Sequence, residues 1–153
     1  MTPDTAMGVA GAVATLALSA TGSALGTGAA ASSAVGAWKK CYAQNKPAPF
    51  LLLSFVGAPI TQTLYGMILM FTMIGKLNAG VANVGIPMLV LGIFAGAAIG
   101  TSAWLQGRAG AAAADAQAET GQGLTNYLAA LGIIETTAIF TMVFTLIAVG
   151  SFS

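Results

Sequence analysis

The residue best equipped for chemistry is Glu135, set in the run Leu128-Ala-Ala-Leu-Gly-Ile-Ile-Glu-Thr-Thr-Ala-Ile-Phe140. A run of this kind reads as a membrane span. A carboxylate near the middle of a span costs about 2.5–3.5 kcal/mol on insertion scales, so such a group is a functional candidate by default. The chemistry it offers is to bind a cation or a proton and carry it through hydrocarbon. The plainer alternative is a protonated carboxyl that ties two helices together by hydrogen bonds.

A second set lies earlier in the chain. Ala58, Thr61, Gln62 and Tyr65 are spaced i, i+3, i+4 and i+7, which places them on one stripe of a helix. Pro59 falls inside that stripe; a proline within a helix removes one backbone hydrogen bond and loosens the turn before it. A loosened turn can offer a carbonyl oxygen to an ion. The competing reading is a packing kink whose polar residues bond back to their own helix. Gln106 adds an amide on a third segment, which turns near Gln122 and returns to the depth of Glu135. Its competing role is a hydrogen bond between helices.

Together these groups supply a carboxylate, two amide oxygens, one or two hydroxyls and a carbonyl. Hard cations prefer oxygen ligands, and a dehydrated cation needs several. A proton needs only the carboxylate. The inventory therefore favours a metal ion, with Na⁺ the abundant candidate, and Tyr65 is placed to hydrogen-bond Glu135 rather than to ligate. Proton carriage remains the alternative.

The elements that must position these residues follow from composition. Of 153 residues, 57% are apolar and 6% charged, against about 25% charged in soluble domains. Mean hydropathy is +0.87. Most of the surface must therefore face lipid, and the expected fold is an all-α membrane protein. The net charge of +1 gives no footprint for nucleic acid. There is no histidine, and Cys41 is alone, which excludes imidazole catalysis, internal disulfides and cysteine-rich metal sites. No phosphate-cradling loop motif is present, so nucleotide chemistry is not expected on this chain.

Spans of about 20 apolar residues fit at Thr5–Trp38, Phe50–Ile74, Ile86–Ala116 and Leu124–Val149, joined by polar turns. The N-terminal run lacks the basic start of a signal peptide and has Asp4 instead, so it reads as a retained first helix. Lys39, Lys40 and Lys46 in the first turn, with Arg108 leaning the same way, place both hairpin turns in the cytoplasm and both termini outside. The lysines read as topology signals, Cys41 as an idle thiol, and the methionines as lipid-facing or gap-filling.

The spans alternate in kind. The first and third are rich in Gly, Ala, Ser and Thr, with Gly22-x3-Gly26 and Gly92-x3-Gly96-x3-Gly100; the second and fourth carry Phe55, Met67, Phe71, Phe140, Phe144 and Ile147. Small residues at every fourth position let helix backbones approach closely in lipid. Gly11, Gly22, Gly26 and Thr27 recur at a constant offset as Gly85, Gly96, Gly100 and Thr101. An offset one residue shorter sets Gln62 on Glu135, Thr63 on Thr136 and Phe71 on Phe144. The chain reads as two duplicated helical hairpins, residues 1–78 and 79–153, the second carrying the glutamate.

On these residues the chain resembles the proteolipid rotor component (the K, or c, type) of V/A-type rotary ATPases, along essentially its whole length. The most specific stretch is Ala58-Pro-Ile-Thr-Gln-Thr-Leu-Tyr65, similar to the P-x-T-Q-x-x-Y segment of the Na⁺-translocating members. Trp104-Leu-Gln-Gly107 and Ile134-Glu-Thr-Thr-Ala138 resemble the remaining site segments. The resemblance implies ion ligands at the Ala58 carbonyl, Thr61, Gln62, Gln106 and Glu135, with Tyr65 bonding the glutamate. Ile60 departs from the glycine of the Na⁺-type members. Further implications are a ring of identical copies, an arginine-bearing stator subunit opposite Glu135, central-stalk subunits and a prokaryotic plasma membrane. The chain itself is then a non-catalytic subunit.

Three other readings compete with the Na⁺ rotor. One is the same ring carrying H⁺. Another is a small four-helix drug/proton exchanger, which places its acid in the first helix, where this chain has none. The last is a purely structural four-helix assembly, which would not need Glu135.

Overall fold

The computed structural model describes residues 1–153 and contains helices and turns but no strand. Helix α1 spans Pro3–Ala43. Thr2 caps it, its hydroxyl accepting from the Thr5 amide at 3.2 Å, with Pro3 at the first helical position and Asp4 in the first turn. The second span is broken into short pieces: a 3-10 turn at Phe50–Leu52, α2 at Leu53–Gly57, a further 3-10 turn at Ala58–Ile60, and α3 at Thr61–Asn78. Then come α4 at Gly85–Thr120 and α5 at Leu124–Gly150.

Four helical segments are long and apolar enough to cross a membrane: Pro3–Ala43, Phe50–Asn78, Gly85–Thr120 and Leu124–Gly150. The protein is an integral, multi-pass membrane protein. The spans fall where hydropathy places them, but α1, the second span (which continues to Asn78) and α4 run further than expected. Lys39, Lys40 and Cys41 are helical, as are Gln117–Thr120. No glycine or proline interrupts either stretch, and Ala, Lys, Glu and Gln sustain a helix beyond the point where lipid ends. α4 stops only where Gly121 takes the left-handed conformation, φ 66°.

The Gly-rich pair forms the interior of the bundle. A Cβ on Gly22 would fall on the backbone of Gly100, one on Gly92 on the backbone of Gly11, and one on Gly107 on the backbone of Gly26. The α1 and α4 backbones are thus in direct contact, with no side chain between them. α1 also meets the second span closely: Gly66 lies against Ser19, and Gly26 faces Pro59. α3 and α5 lie outside, and Leu64, Ile68, Phe71, Ile133, Phe140, Phe144 and Ile147 on them are exposed. The free faces of α1 and α4 are apolar too, with Val13, Leu18, Leu25, Ile93 and Phe94 uncovered.

Side-chain contacts fix which ends lie together. Lys76 Nζ donates to the carbonyls of Gly150 at 3.0 Å and Phe152 at 2.7 Å, and the Gly85 amide donates to Asp4 Oδ1 at 2.8 Å. Both termini and the turn between the second and third spans therefore share one end. At the other end Lys40 pairs with Glu119 at 2.6 Å, and the Trp38 indole donates to the Pro49 carbonyl at 2.8 Å. Arg108 lies in α4, exposed, its guanidinium 5.9 Å from the Trp104 ring.

Candidate ion-binding site

Pro59 sets the geometry. Having no N–H, it cannot continue the α ladder, and the chain passes through the 3-10 turn Ala58–Ile60 before α3 begins at Thr61. The Thr61 amide bonds the Ala58 carbonyl. This tightened turn carries Ala58, Thr61, Gln62 and Tyr65 past α4 and α5 at the level of Glu135. Ile60, where the glycine of the Na⁺-type pattern is missing, is half exposed.

Around Glu135 three neutral donors converge. Thr61 Oγ1 and Tyr65 OH each lie 2.6 Å from Oε1, and Gln106 Nε2 lies 3.2 Å from Oε2. Behind them, Gln62 Nε2 donates to Gln106 Oε1 at 2.8 Å. Gln62 is 0% and Gln106 1% exposed, whereas Thr61, Tyr65 and Glu135 are half-buried. The site thus has a sealed back and an accessible front.

Thr61 Oγ1 stands at the centre of an oxygen cluster. Besides Glu135 Oε1 it lies 3.0 Å from the Ala58 carbonyl and 3.1 Å from Gln62 Oε1. A hydroxyl carries one hydrogen and can serve only one of three acceptors. The Ala58 carbonyl also accepts the Thr61 amide, and Glu135 Oε1 also accepts the Tyr65 hydroxyl, so the cluster gathers more oxygens than the Thr61 hydroxyl alone serves. No cluster of three His, Cys, Asp or Glu residues exists anywhere in the chain, so Glu135 is the one carboxylate of the site. The ion pairs of the molecule are those of Lys40 with Glu119 and Asp115. No cationic side chain balances Glu135.

All six residues named from the sequence come together. Gln106 differs in orientation from the expectation of an oxygen ligand: its Nε2 faces Glu135, and its oxygen is taken by Gln62. An amide nitrogen donates to a carboxylate oxygen; turning this amide over would present Oε1 to Glu135 but would set its NH2 against that of Gln62. Two contacts escaped sequence reading. Gln106 Nε2 also donates to the Leu131 carbonyl at 3.1 Å, and Ser102 Oγ donates to the Ile134 carbonyl at 3.0 Å. Spacing puts Ser102 on the Gln106 face of α4, one helical turn earlier, but does not encode its bond to α5.

The acid, its amide partner Gln106 and Ser102 all belong to the α4–α5 hairpin, and that hairpin is where the chain meets a known family. Residues 84–148 match the family model of the ATP synthase C-subunit. The match covers less than half of the chain and makes the second hairpin similar to the C subunit of ATP synthase. Gln106 and Glu135 lie within the match, whereas Ala58, Thr61, Gln62 and Tyr65 precede it. No curated protein matches the chain.

Proposed function

We propose that this chain is a rotor-ring subunit of a V/A-type ATPase or ATP synthase that binds Na⁺ at Glu135 and carries it across the membrane as the ring turns. The observation that carries the Na⁺ assignment is the excess of acceptors around Thr61 Oγ1: three oxygens within 3.1 Å of a group with one hydrogen. A proton carrier needs one acceptor for its carboxyl. Here the Ala58 carbonyl, Thr61, Gln62 and Glu135 supply oxygen directly; for Gln106 to supply it, both its amide and that of Gln62, which donates to it, must turn. Tyr65 holds the carboxylate.

A single carboxylate bound to one Na⁺ is neutral, so it can cross hydrocarbon. Opposite the arginine of a stator subunit, in a watery half-channel, the carboxylate exchanges its ion for that fixed charge. Each charge that crosses exchanges about 2.3 kcal/mol per 100 mV with the membrane potential. Copies of the chain assemble with α1 and α4 inward and α3 and α5 toward lipid, consistent with the uncovered phenylalanines of the outer pair. The two hairpins, 1–78 and 79–153, descend from one duplicated unit in which Gln62 stands where Glu135 stands. The end of the bundle that carries Lys39, Lys40 and Lys46 faces the cytoplasm of a prokaryotic cell and the central stalk.

The test is carbodiimide labelling of Glu135 in purified rings at fixed pH over a titration of NaCl, with KCl as the ionic-strength control. Protection by Na⁺ alone is expected. Labelling that ignores Na⁺ and responds only to pH would replace Na⁺ with H⁺ in this assignment.

A further inference from the structure

α5 is an outer helix with few buried residues, Leu131, Ala138, Thr145 and Val149, yet it carries the one carboxylate of the site. Something must hold its rotation and height so that Glu135 Oε2 meets Gln106. Two side chains on α4 reach its backbone. Gln106 Nε2 takes the Leu131 carbonyl, which lies four residues before Glu135 and is the α-helical acceptor position for the Glu135 amide. Ser102 Oγ takes the Ile134 carbonyl, which immediately precedes Glu135.

Ser102 is 4% exposed and bonds across to the neighbouring helix. Its neighbour Thr101 instead bonds back to its own helix, at Ala97. Thr137 Oγ1 also lies 2.9 Å from the Ile134 carbonyl, so this one acceptor gathers hydroxyls from two helices. Gln106 has a second duty, because the same amide nitrogen serves Glu135. Once that amide turns to offer its oxygen to an ion, its bond to Leu131 is lost. The Ser102 bond then remains to hold α5 in place.

We infer that Ser102 is a positioning residue of the ion site: its hydrogen bond to the Ile134 carbonyl keeps Glu135 in register with the second span while Gln106 reorients around the ion. This inference rests on the reading of Glu135 as the ion carrier. It predicts that removing the hydroxyl weakens ion binding and leaves ring assembly intact.

The experiment is the same carbodiimide titration on intact rings of the parent protein and of Ser102→Ala, Ser102→Thr and Thr101→Ala. In Ser102→Ala the midpoint for protection by Na⁺ should rise about 3- to 20-fold, the factor expected for one interhelical hydrogen bond in a membrane. Ser102→Thr, which keeps the hydroxyl, and Thr101→Ala should titrate like the parent. A Ser102→Ala midpoint equal to the parent's would overturn the positioning role while leaving the carrier assignment standing. A parent ring that Na⁺ does not protect would overturn the Na⁺ reading and this inference with it. If Ser102→Ala rings do not assemble while Ser102→Thr rings do, the bond serves assembly, and the positioning role is likewise rejected.

Discussion

Thr61 and Tyr65 share an acceptor: one helical turn apart on α3, both place a hydroxyl 2.6 Å from Glu135 Oε1. The two roles differ. Thr61 belongs to the oxygen cluster with Ala58 and Gln62, whereas Tyr65 only donates. Tyr65→Phe therefore removes a hydrogen bond to a charged group without removing an ion ligand. Such bonds contribute about 1.5–3 kcal/mol, so Na⁺ affinity should fall by roughly tenfold or more. Thr61→Val, which removes an oxygen from the cluster, should cost more than Tyr65→Phe. Equilibrium Na⁺ binding to purified rings of each variant measures the order.

Glu135→Gln keeps the shape of the side chain but turns one accepting oxygen into an NH2 donor and cannot neutralise a cation. Rings should still assemble, carbodiimide labelling should vanish, and Na⁺ transport by the reconstituted complex should fall to background. Retained transport would return the chain to a structural role.

Pro59→Ala restores an amide hydrogen, letting the 3-10 turn Ala58–Ile60 relax toward α-helix. Helix propensity favours the change. The stripe, however, would rotate and withdraw Thr61 and Gln62 from Glu135. The expected outcome is a variant at least as resistant to heat as the parent but with weaker Na⁺ binding, read by calorimetry of the same preparation with and without NaCl.

The α1–α4 contact makes a prediction about glycines. Gly22→Ala places a methyl group on the Gly100 backbone, and the helices must separate to admit it; overpacking of this kind costs about 1–3 kcal/mol or more. Gly28→Ala and Gly36→Ala on the same helix meet nothing within 4 Å, and helix propensity favours each by up to about 1 kcal/mol. The melting temperature should drop for the first and hold or rise for the other two. A uniform response would show that the seam is not where the structure puts it.

Much of this could be read from the letters, for identifiable reasons. Hydropathy and the four-residue glycine repeat reveal spans and close helix contacts because lipid leaves few other solutions. The stripe at Ala58, Thr61, Gln62 and Tyr65 could be read because helical spacing alone puts the four side chains together. Helix lengths were less legible: Lys39–Cys41 and Gln117–Thr120 look like turns to a hydropathy argument, since polarity marks the edge of lipid and not the end of a helix. The Gln106 amide orientation and the Ser102 bond were out of reach. Both depend on how α5 is rotated against α4, and neither residue's own spacing to Glu135 encodes that.

The bare-backbone contact of α1 with α4 bears on how force would travel through an assembled rotor. Where two helices touch through glycine there are no rotamers to re-sort and no soft side chains to compress. An impulse applied to the outer helices would reach the axle-facing wall with little lost to internal give. Compliance would then belong to the outer layer, so that loading and unloading cargo happens at the rim of a stiff wheel.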